Sequence, residues 1–232
     1  RAMLAGLGAL NETGRITAHG YALAALPLHP RLGHMLAVAG KPAATLAALL
    51  AERDPLTRGS GADLILRLKA IERPGPEAHR GTVERIRLEA KRLEKSAPDV
   101  AEVYSKAEMA ALAYPDRIGL RRSSGAPRYV LSGGKGAVID STDPLARERL
   151  IVASDLDGDP REARVRQGIA LSETELRRLY SDRIGWRDVV EWSRREGRVQ
   201  ARRQERFGTL VLTDRALPDP DPSDMARAAL DG

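Results

Sequence analysis

Three groups of residues in this chain have the types that chemistry needs but not the spacing. Ser132-Gly133-Gly134-Lys135-Gly136 supplies glycines and a lysine, the ingredients of a phosphate cradle. A P-loop, however, needs a glycine five positions before Gly134, where Tyr129 stands, and a hydroxyl side chain after the lysine, where Gly136 stands. The segment reads as a β-turn, because glycine reaches the positive φ that such turns require. Gly40-Lys41 fails the same test and runs into Pro42. Asp155, Asp157 and Asp159 alternate like the ligands of a calcium loop, yet Gly158 precedes the third acid and Pro160 follows it. An Asp-Gly step between two strand-like runs is the mark of a hairpin turn instead. The four histidines, His19, His29, His34 and His79, show no paired metal-ligand spacing and no serine elbow nearby. No catalytic residue and no metal ligand is assigned, and neither Gly-Lys step supports ATP or GTP hydrolysis by this chain.

Arginine forms the fourth group. The chain has 32 Arg against 6 Lys and a net charge of +6. Arg is the better bidentate partner for phosphate, so nucleic acid is one reading; a bias in genomic base composition is the other. Residues 161–215 hold 14 Arg and 9 acids, which concentrates nearly all of the net charge there. In Ala163 to Ile169, Arg164 and Arg166 alternate with Ala163 and Val165. In Arg198 to Arg206, the face Arg198, Gln200, Arg202, Gln204, Arg206 is wholly polar. These strand faces make Arg164, Arg166, Arg198, Arg202 and Arg206 the candidate nucleic-acid contacts, with an ordinary solvated sheet face as the alternative. Aromatic residues are only 3%, so phosphates rather than stacked bases would dominate.

The elements that must position these side chains follow from periodicity. Leu4, Leu7 and Leu10 have helical spacing, Asn11 to Gly14 turn the chain, and Arg15-Ile16 leave room for a short extended piece. Thr17 can cap a second helix, and Pro27 and Pro30 allow a third from about Arg31, with His29 ordering the proline step. Helices are expected over 42–53, 62–72, 77–95 and 99–113. Leu46, Leu49, Leu50, Leu64, Leu66, Leu68, Ile86, Leu93, Val103 and Leu112 are their expected core. After Tyr114-Pro115 the period changes to two. Strands are expected over 118–121, 128–132, 136–139, 150–154, 163–169, 198–206 and 209–213, with a short helix over 172–179; residues 186–193 fit helix and strand equally. Such short strands with one inserted helix suggest a partly open barrel of the OB type.

The stretch Leu7–Met35, with its Leu-Gly-Ala-Leu, Gly-Arg-Ile-Thr and Leu-Pro-Leu-His-Pro-Arg-Leu segments, resembles the helicase-associated region of DEAH-box ATP-dependent RNA helicases. AALLAERDPL (47–56), LAYPDRIGLRR (112–122) and FGTLVLTDRALPDPDP (207–222) are similar to the bacterial HrpB-type branch in particular. The resemblance covers nearly the whole chain. It implies an α+β fold in which 1–39 end a winged helix, 40–112 form a helical ratchet bundle, 113–217 an OB-fold-like β domain, and 218–232 a linker into a further region. It also implies a parent protein whose RecA-like core binds ATP and magnesium and hydrolyses the nucleotide. Residue 1 falls inside a helical pattern, which suggests an excised segment, and the phosphate loop, Asp-Glu-Ala-His box and arginine finger are not in it. The expected partners are single-stranded RNA or DNA and the RecA-like core of the same polypeptide; a protein-docking module with little nucleic-acid affinity of its own is the alternative. Cysteine is absent and no apolar run nears the roughly 20 residues that span a bilayer, so a cytoplasmic protein without membrane attachment is expected.

Overall fold

The computed structural model describes residues 1–123, 125–159 and 161–230. Helix α1 (Ala2–Gly6) leads into a turn closed by a bridge between Leu10 and Ile16 and by the Asn11 side chain, which accepts from the Arg15 amide at 2.9 Å. Thr17 caps α2 (Ala18–Ala24): its hydroxyl accepts from the Gly20 amide and donates to the Gly8 carbonyl. A Cβ at Gly20 would sit 2.2 Å from the Ala9 carbonyl oxygen, so only glycine lets the turn close on the helix. His29 caps α3 (Pro30–Ala39), accepting from the Arg31 amide through Nδ1 at 3.3 Å, which is the ordering role its sequence context suggests.

A 3-10 turn at Lys41–Ala43 and helices α4 (Ala44–Ala51), α5 (Leu64–Glu72), α6 (Arg80–Ser96) and α7 (Lys106–Ala113) complete the helical part. The last helix starts later than its pattern suggests. Ser105 accepts from the Glu108 amide and Glu108 accepts from the Ser105 amide, a reciprocal cap that fixes the first turn at Lys106. Val103 therefore lies outside the helix and is 84% exposed, and Leu66 on α5 is 41% exposed, so neither belongs to the core.

The expected order of helical bundle and then small barrel is the one the chain adopts. Strands β1 (Ile118–Arg121), β2 (Arg128–Leu131), β3 (Gly136–Val138), β4 (Leu150–Leu156) and β5 (Glu162–Ala170) close in the order β1-β2-β3-β5-β4, antiparallel except for β3 with β5. Tyr129 fills the interior and shares its hydroxyl between the carbonyls of Leu145 and Glu148. The remaining strands form a second sheet. Helix α8 (Glu173–Tyr180) is followed by β6 (Ile184–Ser193), β7 (Arg198–Phe207) and β8 (Leu210–Ala216), and then by α9 (Pro222–Leu230). The stretch 186–193, which fitted helix and strand equally, is thus strand.

Leu150 to Ala153 of β4 are all buried because the strand is covered twice. Ile151 and Ala153 enter the barrel, while Leu150 and Val152 join a core built from α3, α4, α6, α7 and α8. That same core takes in Phe207, Leu210 and Leu212 at the base of the second sheet. No described helix is long and apolar enough to cross a membrane.

Candidate functional site

The five candidate arginines divide between two places. Arg164 and Arg166 project from β5 and are exposed, because Ala163 and Val165 take the inward positions of the alternation. They line a cleft of about 1020 Å³ between the barrel and the 58–67 segment that leads into α5. The Gly168 amide ties this segment to the barrel, donating to the Ala62 carbonyl at 2.9 Å. Arg58, from the helical part and not among the sequence-derived candidates, lines the same cleft.

That cleft is close to balanced in charge. Against Arg58, Arg67, Arg164 and Arg166 stand Asp54, Asp63, Asp140 and Asp143. Arg67 is buried and pairs with Asp54 at 2.8 Å. Asp63 accepts from the Ile65 amide, and Asp143 from the Ala62 and Leu145 amides. Asp140 is held below the usual carboxylate range by hydrogen bonds from the Thr142 amide and hydroxyl. Asp157, at the turn before β5, is likewise held low, by the amides of Asp159 and Arg164. Asp159 likewise accepts from the Arg161 and Glu162 amides, so two of the hairpin's three aspartates serve its own backbone, as in a turn. Among the described residues no group of three His, Asp or Glu side chains converges to hold a metal ion.

Arg198, Arg202 and Arg206 lie on β7 of the second sheet, where alternation puts them on one face with Gln200 and Gln204. Two of them are engaged by acids: Arg198 with Glu196 at 2.6 Å and Arg202 with Asp214 at 2.9 Å. Arg206 donates through Nε to the Gln204 side chain. Arg203, of opposite parity, holds Asp188 with two bonds of 2.6 and 2.8 Å. Arg215 of β8 stacks on Trp186, 4.3 Å from the ring centre, so the more exposed of the chain's two tryptophans already has a cation on it.

The second sheet also matches a known family. Residues 183–217 fit the model for "ATP-dependent RNA helicase HrpB, connector region". Taken with the helical module and barrel before it, this match makes the chain similar to the C-terminal accessory region of DEAH-box helicases of the HrpB type. The particular relative is ATP-dependent RNA helicase HrpB of Escherichia coli strain K12, 29% identical over 231 residues. The alignment covers 97% of this chain and 27% of that protein, so the chain spans about a quarter of its relative's length. Two solved structures agree. The E. coli DExH-box NTPase HrpB superposes with a TM-score of 0.72 at 30% identity, over 98% of this chain and 27% of that one. A second structure, of Escherichia coli DEAH/RHA helicase HrpB, gives 0.72 at 28% identity over 100% and 28%.

Proposed function

We propose that this chain is the accessory region of an ATP-dependent RNA helicase, contacting single-stranded nucleic acid beside a RecA-like core in the same polypeptide. The likeness to HrpB over the whole chain, in sequence and in structure, carries the reading. ATP and magnesium belong to that core. The small barrel, closed in a mixed parallel and antiparallel order, supports an OB-like role in strand binding. Contact is made mainly to phosphates, through Arg164 and Arg166 on the barrel and Arg198, Arg202 and Arg206 on β7.

The test is binding of a fluorescent single-stranded RNA by the 232-residue chain over a salt series. Each phosphate neutralised contributes about −0.7 to the slope of log affinity against log salt. Replacing Arg198, Arg202 and Arg206 with Ala is expected to weaken all sequences alike and flatten the slope by about 2. Failure of the unaltered chain to bind at low salt overturns the reading. The ion pairs at Arg198 and Arg202 favour one alternative, in which that face docks on the helicase core. An unchanged affinity and slope in the triple variant would select it.

A further inference from the structure

One rim of the barrel gathers arginines that are far apart in sequence. Arg121 ends β1 and its amide donates to the Arg149 carbonyl; the Arg122 amide donates to the Arg128 carbonyl. Arg147 ends the 3-10 turn Pro144–Arg147, which is tied to β2 through the Tyr129 hydroxyl on the Leu145 and Glu148 carbonyls. Backbone pairing, with the Tyr129 hydroxyl, therefore brings Arg121, Arg122, Arg128, Arg147 and Arg149 to one end of the barrel. All five are exposed.

The acids of this rim do not match them. Glu162 is taken by Arg128 at 3.2 Å, and Glu173 is shared by Arg149 and Arg177. Arg121, Arg122 and Arg147 make no ion pair among the described residues, whereas Arg128 and Arg149 do; Glu148, between Arg147 and Arg149 in sequence, is exposed as well. Unlike the cleft at Arg164, where acids and bases balance, the rim keeps a surplus of positive charge on exposed side chains. It is also continuous with the second sheet: the Arg149 guanidinium donates to the Leu212 carbonyl of β8 at 3.0 Å, next to the strand that carries Arg198, Arg202 and Arg206.

We propose that Arg121, Arg122 and Arg147 form a phosphate-binding rim that holds the backbone of a single nucleic-acid strand and passes it toward the β7 face. This rests on the reading above that the chain contacts single strands, and it adds contacts outside the strand faces named from sequence. Guanidinium groups with no partner to give up bind phosphate at lower cost than those already engaged by carboxylates, so the rim outweighs the β7 face residue for residue.

The experiment measures binding of a fluorescent oligouridylate of about 12 nucleotides to the unaltered chain, to Arg121→Ala/Arg122→Ala/Arg147→Ala and to Arg198→Ala/Arg202→Ala/Arg206→Ala, each over a salt series. The rim variant is expected to bind at least tenfold more weakly at low salt and to flatten the slope by about 2, the sum of three contacts of about 0.7 each. The matching Arg→Lys triple keeps the slope because it keeps the charge, and loses only the bidentate part of the affinity. Thermal melting of each variant confirms that these exposed changes leave the fold intact. A rim variant that binds with unaltered affinity and slope, while the unaltered chain binds, overturns the rim and leaves the broader reading standing. No binding by the unaltered chain overturns both.

Discussion

His34 shows what one residue contributes through its protonation state. Its Nδ1 meets His19 Nε2 at 2.8 Å, with the two rings edge to face. Burial, and then the charge of His19, lower its pKa from 6.5 to about 4. The folded value lies below the unfolded one, so the stabilising effect is full above pH 6.5 and is lost as pH falls toward 4. Between about pH 7 and about pH 5 this linkage removes roughly 2 kcal/mol. The His34→Gln variant is therefore expected to lose roughly 2 kcal/mol less than the unaltered chain over that interval. Urea unfolding at the two pH values measures it, and equal losses would show that His34 is not the titrating group. Ser154 makes a different case: it is buried, and its Oγ has no partner among the described residues. Neither residue stood out from spacing, because burial and a second ring come from tertiary contact.

At the scale of elements, α7 and α8 begin with the same device and share it. Ser105 and Ser172 each cap a helix reciprocally with Glu108 and Glu175, and the Ser105 hydroxyl also donates to Glu175 at 2.6 Å. Arg178 of α8 closes the circuit with two bonds of 2.6 Å to Glu108, so the two helix starts hold each other. Burial raises the Glu108 pKa, but the bonds from Arg178 and the Ser105 amide more than reverse this and leave it below the usual value. Ser105→Ala and Ser172→Ala should each cost about 1 kcal/mol, as lost N-caps do. Because Glu175 serves both, the double variant should depart from additivity by about 0.5 kcal/mol in a denaturant cycle; strict additivity would show that the starts are independent. Most strands were legible in the sequence, since glycine turns and alternation bounded them. The strand Ile184–Ser193 was not, because both its faces are part-exposed and it carries no clean alternation. The strand order of the barrel was also hidden, because β3 pairs in parallel with β5 although β4 lies between them in sequence. The same distance in sequence concealed the rim: Arg121 and Arg147 gain their meaning only from the pairing of β1 with β4.

For the whole molecule, the change of period at Tyr114-Pro115 marks a change of architecture within one continuous core. Leu46 of α4, Met109 of α7, Val152 of β4 and Phe207 of β7 all belong to it, so the helices, the outer barrel wall and the base of the second sheet exclude water together. Arg31 adds a polar tie from α3, bonding Asp116 at 2.6 and 2.8 Å and the Ala113 carbonyl at 3.2 Å. Elements that share buried surface lose it together, so one cooperative transition is expected. Both tryptophans lie in β6, so tryptophan fluorescence reports the second sheet while the far-UV helical signal reports mainly the bundle. Leu46 is fully buried, and Leu46→Ala should cost about 3 kcal/mol through lost contacts and a residual cavity. If the core is one, this change in the bundle moves the fluorescence midpoint in urea by as much as it moves the helical one. A helical transition that shifts alone, with the tryptophan signal left in place, would show that the second sheet folds independently. The rim could then not be held in fixed register with β7, and a strand crossing from one to the other would gain nothing from their being joined.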